Sequence, residues 1–274
     1  MHGVRFLSLL LILVVVNSFV NGGEASLNPI AVAAERTESA PGARFTMKAS
    51  YTGAGLAQPV VAHGKGARNS QTGRSRAVMS VEVPQAPTEI HVESIGDGTS
   101  IYMRSSTLGS KLPEGKEWMR VEPFLGHSES EAVLGGSDAD SSLQMLGSTG
   151  DVERVGTEQV RGTSTTRYRA VVDLDNYADA LRGEDKDELA DLYEKYSELA
   201  PDPAEVEVWV DSHKILRRLR MVMEIPTRPG GPTLTMDMRM DFFDFGARPR
   251  IELPDPASVY DATPTLEREL DAAG

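Results

Sequence analysis

The sequence predicts an α+β fold: one strongly curved antiparallel sheet, a half-barrel of about ten or eleven strands, closed by two or three helices. Three observations predict it. Period-two alternation of apolar and polar residues recurs through most of the chain from Phe45 to Phe242. The alternating runs are joined mostly by short turns rich in Gly, Asn, Asp and Ser, which favours antiparallel neighbours. Finally, one face of these strands is loaded with methionine. Of 11 methionines, all but Met1 and Met145 fall in predicted strands.

Residues 1–25 read as an export segment, either a cleaved signal peptide or an uncleaved signal anchor. Arg5 precedes the apolar run FLSLLLILVVV, which NSFV extends, and polar Gly-rich sequence follows. Residues 26–262 read as the folded domain and 263–274 as a frayed tail. Within the domain, Asn28-Pro29 places a capping residue before a proline at the first helical position. A short helix over 28–43 follows, with Ile30, Ala33, Ala34 and Thr37 at helical spacing and Pro41-Gly42 ending it.

The pattern then switches to strands at 45–51, 60–68, 77–83, 90–94, 100–104 and 118–121. Gly64 and Gly66 interrupt the second of these, as glycines do where strands bend. Asp97-Gly98 signals a tight hairpin. Residues 127–140 read as a polar loop, and 141–146 as one or two helical turns. Short strands at 151–156 and 158–161 lead to a clear one at 165–174. An amphipathic helix over 184–199, acidic on its wet face, ends at Pro201-Asp202-Pro203. Three alternating strands follow between Glu205 and Phe242, read as a meander at one end of the sheet, then a proline-rich irregular tail.

The methionines define the candidate site. Met47, Met79, Met103, Met221, Met223, Met236, Met238 and Met240, with Phe45, Val81 and Tyr168, are expected to line a hydrophobic cavity between sheet and helices. Methionine is unbranched, flexible and polarizable, so it adapts to variable apolar shapes. The same residues would also suit a plain core with methionine as gap filler. The sheet offers more apolar face than two or three short helices cover, which favours a ligand cavity of roughly several hundred cubic ångströms.

Other chemistry is poorly represented. Lys and Arg number 28 against 41 Asp and Glu, giving a net charge of −13, which disfavours nucleic acid as a partner. There are no cysteines, so disulfides, thiol catalysis and zinc-thiolate sites are ruled out. The five histidines are dispersed, without metal-ligand spacing. No nucleophile elbow or phosphate-binding glycine motif occurs. The expectation is a protein that is not an enzyme and uses no cofactor and no metal.

Several stretches carry a resemblance. They are LNPIAVAAERTESAPGARFTM, WMRVEPF, DVERVGTEQVRGTSTTRYRAVVDL, EVEVWVDSHKILRRLRMVM and LTMDMRMDFFDFG. The run from Val155 to Tyr168, followed by Val-Trp-Val-Asp, is the most specific. Together they resemble the LolA-like superfamily, in particular LppX/LprG-type actinobacterial lipoproteins. The resemblance implies a curved half-barrel whose cavity holds acyl chains of lipids or lipoproteins for carriage across the cell envelope. Family lipoproteins carry a cysteine after the signal, whereas Gly22-Gly23-Glu24 stands near that place here. The expected partner is therefore a lipid or other acyl-chain ligand, with membrane or envelope proteins as further candidates. The expected location is extracytoplasmic, secreted or held at the cytoplasmic membrane by the N-terminal segment. The alternative is a membrane-anchored sensor that uses the same concave face for a protein partner.

Overall fold

A computed structural model of the chain describes residues 28–84, 88–109, 112–121, 146, 149, 152–172, 204–226 and 231–265. The export segment, the 127–140 loop, the 184–199 helix and the tail beyond 265 lie outside the described residues.

Helix α1 (Pro29–Glu38) opens the described chain. Asn28 caps it: its side-chain oxygen accepts from the N–H groups of Ile30 at 2.9 Å and Ala31 at 3.4 Å. Ile30, Ala33, Ala34 and Thr37 are its buried face, as their spacing predicts. The helix ends earlier than expected, with the Ser39 N–H closing onto Glu35 O at 2.9 Å.

The strands are β1 (Gly42–Gly53), β2 (Val60–Asn69), β3 (Arg74–Glu82), β4 (Ile90–Gly96), β5 (Ile101–Ser105) and β6 (Trp118–Val121). They continue with β7 (Glu153–Val160), β8 (Thr163–Val172), β9 (Ala204–Asp211), β10 (Leu216–Pro226), β11 (Thr233–Phe243) and β12 (Val259–Asp261). All belong to one open 12-stranded sheet in the order β12-β6-β5-β4-β3-β2-β1-β11-β10-β9-β8-β7. Two meanders, β1–β6 and β7–β11, are therefore joined side by side through the β1–β11 pair. Ten backbone positions are in register there, from Arg44 opposite Phe243 to Gly53 opposite Leu234.

Several expectations are corrected. Among the described residues the sheet has 12 strands, where about ten or eleven are expected. It is not wholly antiparallel, because β12 pairs with β6 in parallel. The strands predicted at 151–156 and 158–161 are one strand, β7, whose register shifts between Arg154 and Gly156. That irregularity is what interrupts the alternation in the sequence. Among the described residues α1 is the α-helix seen end to end, beside a 3₁₀ turn at Pro256–Ser258, so the expected helix count is not met there. The meander β9–β11 also lies inside the sheet, flanked by β1 and β8, and not at its end.

Helix α1 docks on β9 and β10 through specific bonds. The Thr37 hydroxyl donates to Ala33 O at 2.6 Å and accepts from the Leu216 N–H at 2.8 Å. The buried Arg68 guanidinium donates to the carbonyls of Thr37 (3.1 Å), Glu38 and Ala40 (3.3 Å). It thus meets the carbonyl-rich C-terminal end of the helix, where a cation is favoured.

Candidate functional site: the methionine face

In an antiparallel ladder, directly opposed residues point to the same face. The registers therefore trace rows of side chains across the sheet. One row runs Val92, Met79, Gly64, Met47, Met240, Leu219, Val208 and Tyr168. The next runs Ile90, Val81, Ala62, Ala49, Met238, Met221, Val206 and Ala170. A third joins Val60, Tyr51, Met236 and Met223. These rows, with Phe45 and Phe242, form one continuous apolar cluster with Ile30, Ala33 and Ala34 of α1.

Most of the predicted site residues meet in this cluster. Phe45, Met47, Met79, Val81, Met221, Met236, Met238 and Met240 are buried in it. Met223 and Tyr168 are half-buried and pack against it. Met103 does not join them. It packs with Ile101, Met119, Val121 and Ala262 in a second cluster. Met103 still points to the same face, because it opposes Ser94, which opposes Ala77, which opposes Gly66. The three small residues between it and Phe45 leave too little side chain to bridge the two clusters.

The glycines of β2 set the relief of this face. A Cβ on Gly66 would stand 2.1 Å from the Phe45 ring and 2.5 Å from the Arg76 carbonyl oxygen. A Cβ on Gly64 would stand 2.8 Å from Met79 Cγ. Their absence lets Phe45 and Met79 lie flat over the backbone of the strand between them. The sequence signal was present as two glycines in an alternating strand, but which side chains fill the space required the register. Ala49, Tyr51, Ala62, Leu219 and Phe242 also belong to the face and were not singled out from sequence. Alternation alone could have nominated them.

The opposite face is chemically different. The Glu207 carboxylate takes bonds from Arg167, from Arg169 at 3.3 Å and from Arg220 at 3.3 Å. Arg220 also meets both Asp237 oxygens, at 3.0 and 2.8 Å. Arg218 is bidentate to Asp241 at 2.6 and 2.8 Å. The Trp209 indole donates to Glu158 at 2.9 Å, and the Arg167 and Arg218 guanidiniums sit 5.1 and 5.5 Å from its ring centre. Burial by itself would raise the Glu207 carboxyl. The bonds and charge of Arg167, with the bonds of Arg220 and Arg169, outweigh it and hold the group below the usual range. Asp211 is lowered in the same way: burial opposes, while the N–H groups of Ile215 and His213 and the guanidinium of Arg217 prevail.

Two cavities stand out among the described residues. One of about 430 Å³ lies on the charged side, between Arg76, Glu93, Trp118 and residues 250–254. The other, about 350 Å³, lies near the β9–β10 turn and reaches the methionine face at Tyr168 and Val210. Neither is the expected apolar hollow over the face as a whole. Among the described residues no three His, Asp or Glu side chains are grouped to hold a metal ion. Among them too, no helix is long and apolar enough to cross a membrane.

No protein-family model matches the chain. A curated relative, an uncharacterised 31.2 kDa protein of the rplA-rplJ intergenic region of Streptomyces griseus, is 24% identical over 161 residues. That match takes in 56% of this chain and 51% of the relative, so the chain spans about half the length of the curated protein it matches. Similar solved structures include the Mycobacterium tuberculosis lipoprotein LppX, with 14% identity, 82% of this chain and 96% of that one covered, and a TM-score of 0.46. LprF from Mycobacterium bovis shows 13% identity, coverage of 85% and 99%, and a TM-score of 0.41. A LolA superfamily protein from Nitrosomonas europaea shows 10% identity, coverage of 85% and 96%, and a TM-score of 0.32. These structures come from the group that the sequence resembles.

Proposed function

We propose that the chain is a non-enzymatic carrier that binds a lipid or another acyl-chain ligand outside the cytoplasmic membrane, against the methionine face. The observation that carries this reading is the continuity of that face. Rows of Met, Val and Ala side chains cross β4 to β8 without a charged side chain among them. The helix described over it docks mainly at β9 and β10. A broad apolar surface made of flexible side chains suits ligands of variable apolar shape. Phe45, Met47, Met79, Val81, Met221, Met223, Met236, Met238 and Met240 line the site in this reading, with Tyr168 and Met103 at its two sides.

The apolar segment at 6–16 supports export of the domain at 26–262. Titration of the full chain with a fluorescent polyene hydrocarbon tests the binding claim. Saturable binding that Met79→Trp, Met238→Trp or both weaken by about tenfold or more supports it. A face already filled by the chain's own side chains would give no saturable binding, and the carrier reading would fall.

A further inference from the structure

Tyr51 sets a hydroxyl in the middle of the apolar face. Tyr51 lies on β1 between Val60 of β2 and Met236 of β11, with Ala49 two residues away on the same side. It is 2% exposed and belongs to the main apolar cluster. No hydrogen bond to its hydroxyl is formed among the described residues. Burial pushes its pKa up to about 12, so the group is a neutral phenol that can donate. A hydroxyl set in an apolar face without a protein partner costs free energy that phenylalanine would avoid. At Phe45 and Phe242, on the same face, the chain does use phenylalanine.

The charges around Tyr51 limit what the hydroxyl can meet. Asp237 and Arg239 of β11 and Lys48 of β1 occupy alternate positions and point to the other face, as do His63 of β2 and Arg220 and Glu224 of β10. Among the described residues, a carboxylate laid beside Tyr51 would therefore be a buried charge with no neighbouring cation on this face to neutralise it, which is strongly unfavourable. An uncharged carbonyl oxygen would accept the hydrogen bond without that penalty.

We infer that the Tyr51 hydroxyl is the donor that seats an uncharged carbonyl oxygen of the acyl ligand, such as an ester, within the methionine face. This rests on the carrier reading above. It makes Tyr51 the residue that fixes where along the face the ligand's hydrocarbon begins, while the methionines adapt to its length and shape.

The test uses the full chain and three probes: a polyene hydrocarbon without oxygen, a polyene fatty-acid methyl ester, and the same acid ionised at alkaline pH. Wild type is expected to bind the ester more tightly than the ionised acid. Tyr51→Phe removes one oxygen and keeps the ring. It should weaken the ester about fivefold, the worth of one neutral hydrogen bond, and leave the hydrocarbon within about twofold. Equal weakening of ester and hydrocarbon would show that the ring's packing matters and not its hydroxyl, overturning the inference. So would an ester affinity untouched by Tyr51→Phe, with the carrier reading left standing. Tighter binding of the ionised acid than of the ester would overturn the uncharged acceptor. Failure of wild type to bind any of the three would remove the carrier reading and this inference with it.

Discussion

The two faces of the central strands share one backbone and one alternation, yet they are built from opposite materials. On one side Met47, Met79, Met238 and Met240 pack through non-directional contacts. On the other, Arg218 clamps Asp241 and three arginines converge on Glu207. Directional bonds between fixed side chains resist change of shape; thioether side chains with three rotatable bonds accept it. The difference shows how a sheet can hold a firm curve while presenting a soft lining. The charged face ties β8, β9, β10 and β11 to each other across their backbones, so the lining need not do so.

The comparison can be broken most severely on the apolar side. Phe45→Ala would empty the space over Gly66 and should cost about 3–5 kcal/mol in urea unfolding, the usual range for a buried phenylalanine. The converse change, Gly66→Ala, forces a methyl against the Phe45 ring and the Arg76 carbonyl. Because the carbonyl is backbone, rotation of the phenylalanine cannot relieve the clash, and a loss of about 3 kcal/mol is expected. If Gly66→Ala left the unfolding midpoint unchanged, the glycine would not be what shapes the face.

The charged side should respond less and differently. Glu207→Gln keeps the shape and removes the charge that Arg167, Arg169 and Arg220 share. Those arginine side chains are 30%, 48% and 40% exposed, so solvent screens the pairs and about 1–2 kcal/mol is expected. The sign with pH is set by linkage. Glu207 and Asp211 are held below their ordinary values, so their stabilisation is present above those values and is lost as pH falls through the folded ones. Acid unfolding followed by circular dichroism should therefore be shallower in Glu207→Gln, with the neutral limb parallel to wild type. An unchanged acid slope would mean that Glu207 is not held by its arginines.

Smaller effects sharpen the contrast. Met238→Leu nearly conserves volume and should cost under about 1.5 kcal/mol, while narrowing the range of apolar probes that bind. Val78→Thr, on the charged face and 38% exposed, should change stability by no more than about 0.5 kcal/mol. A larger effect at Val78 than at Met238 would reverse the assignment of the two faces.

The strands and the helix at 29–38 were legible because their signals are local. Alternation names the buried side of β1 or β11 residue by residue, and Asn28-Pro29 marks where α1 begins. The features hidden from sequence depend on pairing between distant segments. Nothing in Val259–Asp261 alone says that it adds to β6 in parallel. The irregular segment around Ile251 gave no periodic signal, yet Ile251 packs with Ile95 and Trp118 beneath it. Met103 looked like its fellow methionines because alternation reports the face only. Its separation arises from Gly66, Ala77 and Ser94, which lie on three other strands. The ion pairs on the charged face were invisible for the same reason: Arg218 and Asp241 are 23 residues apart and meet only through register.

Native mass spectrometry of the full chain purified from its own cells, followed by lipid extraction, tests the carrier claim most directly. The account predicts a protein mass with an added ligand that organic solvent removes, acyl chains in the extract, and loss of the added mass in Met79→Trp or Met238→Trp. A bare protein mass, with no acyl chains recovered and none taken up from added lipid, would contradict it.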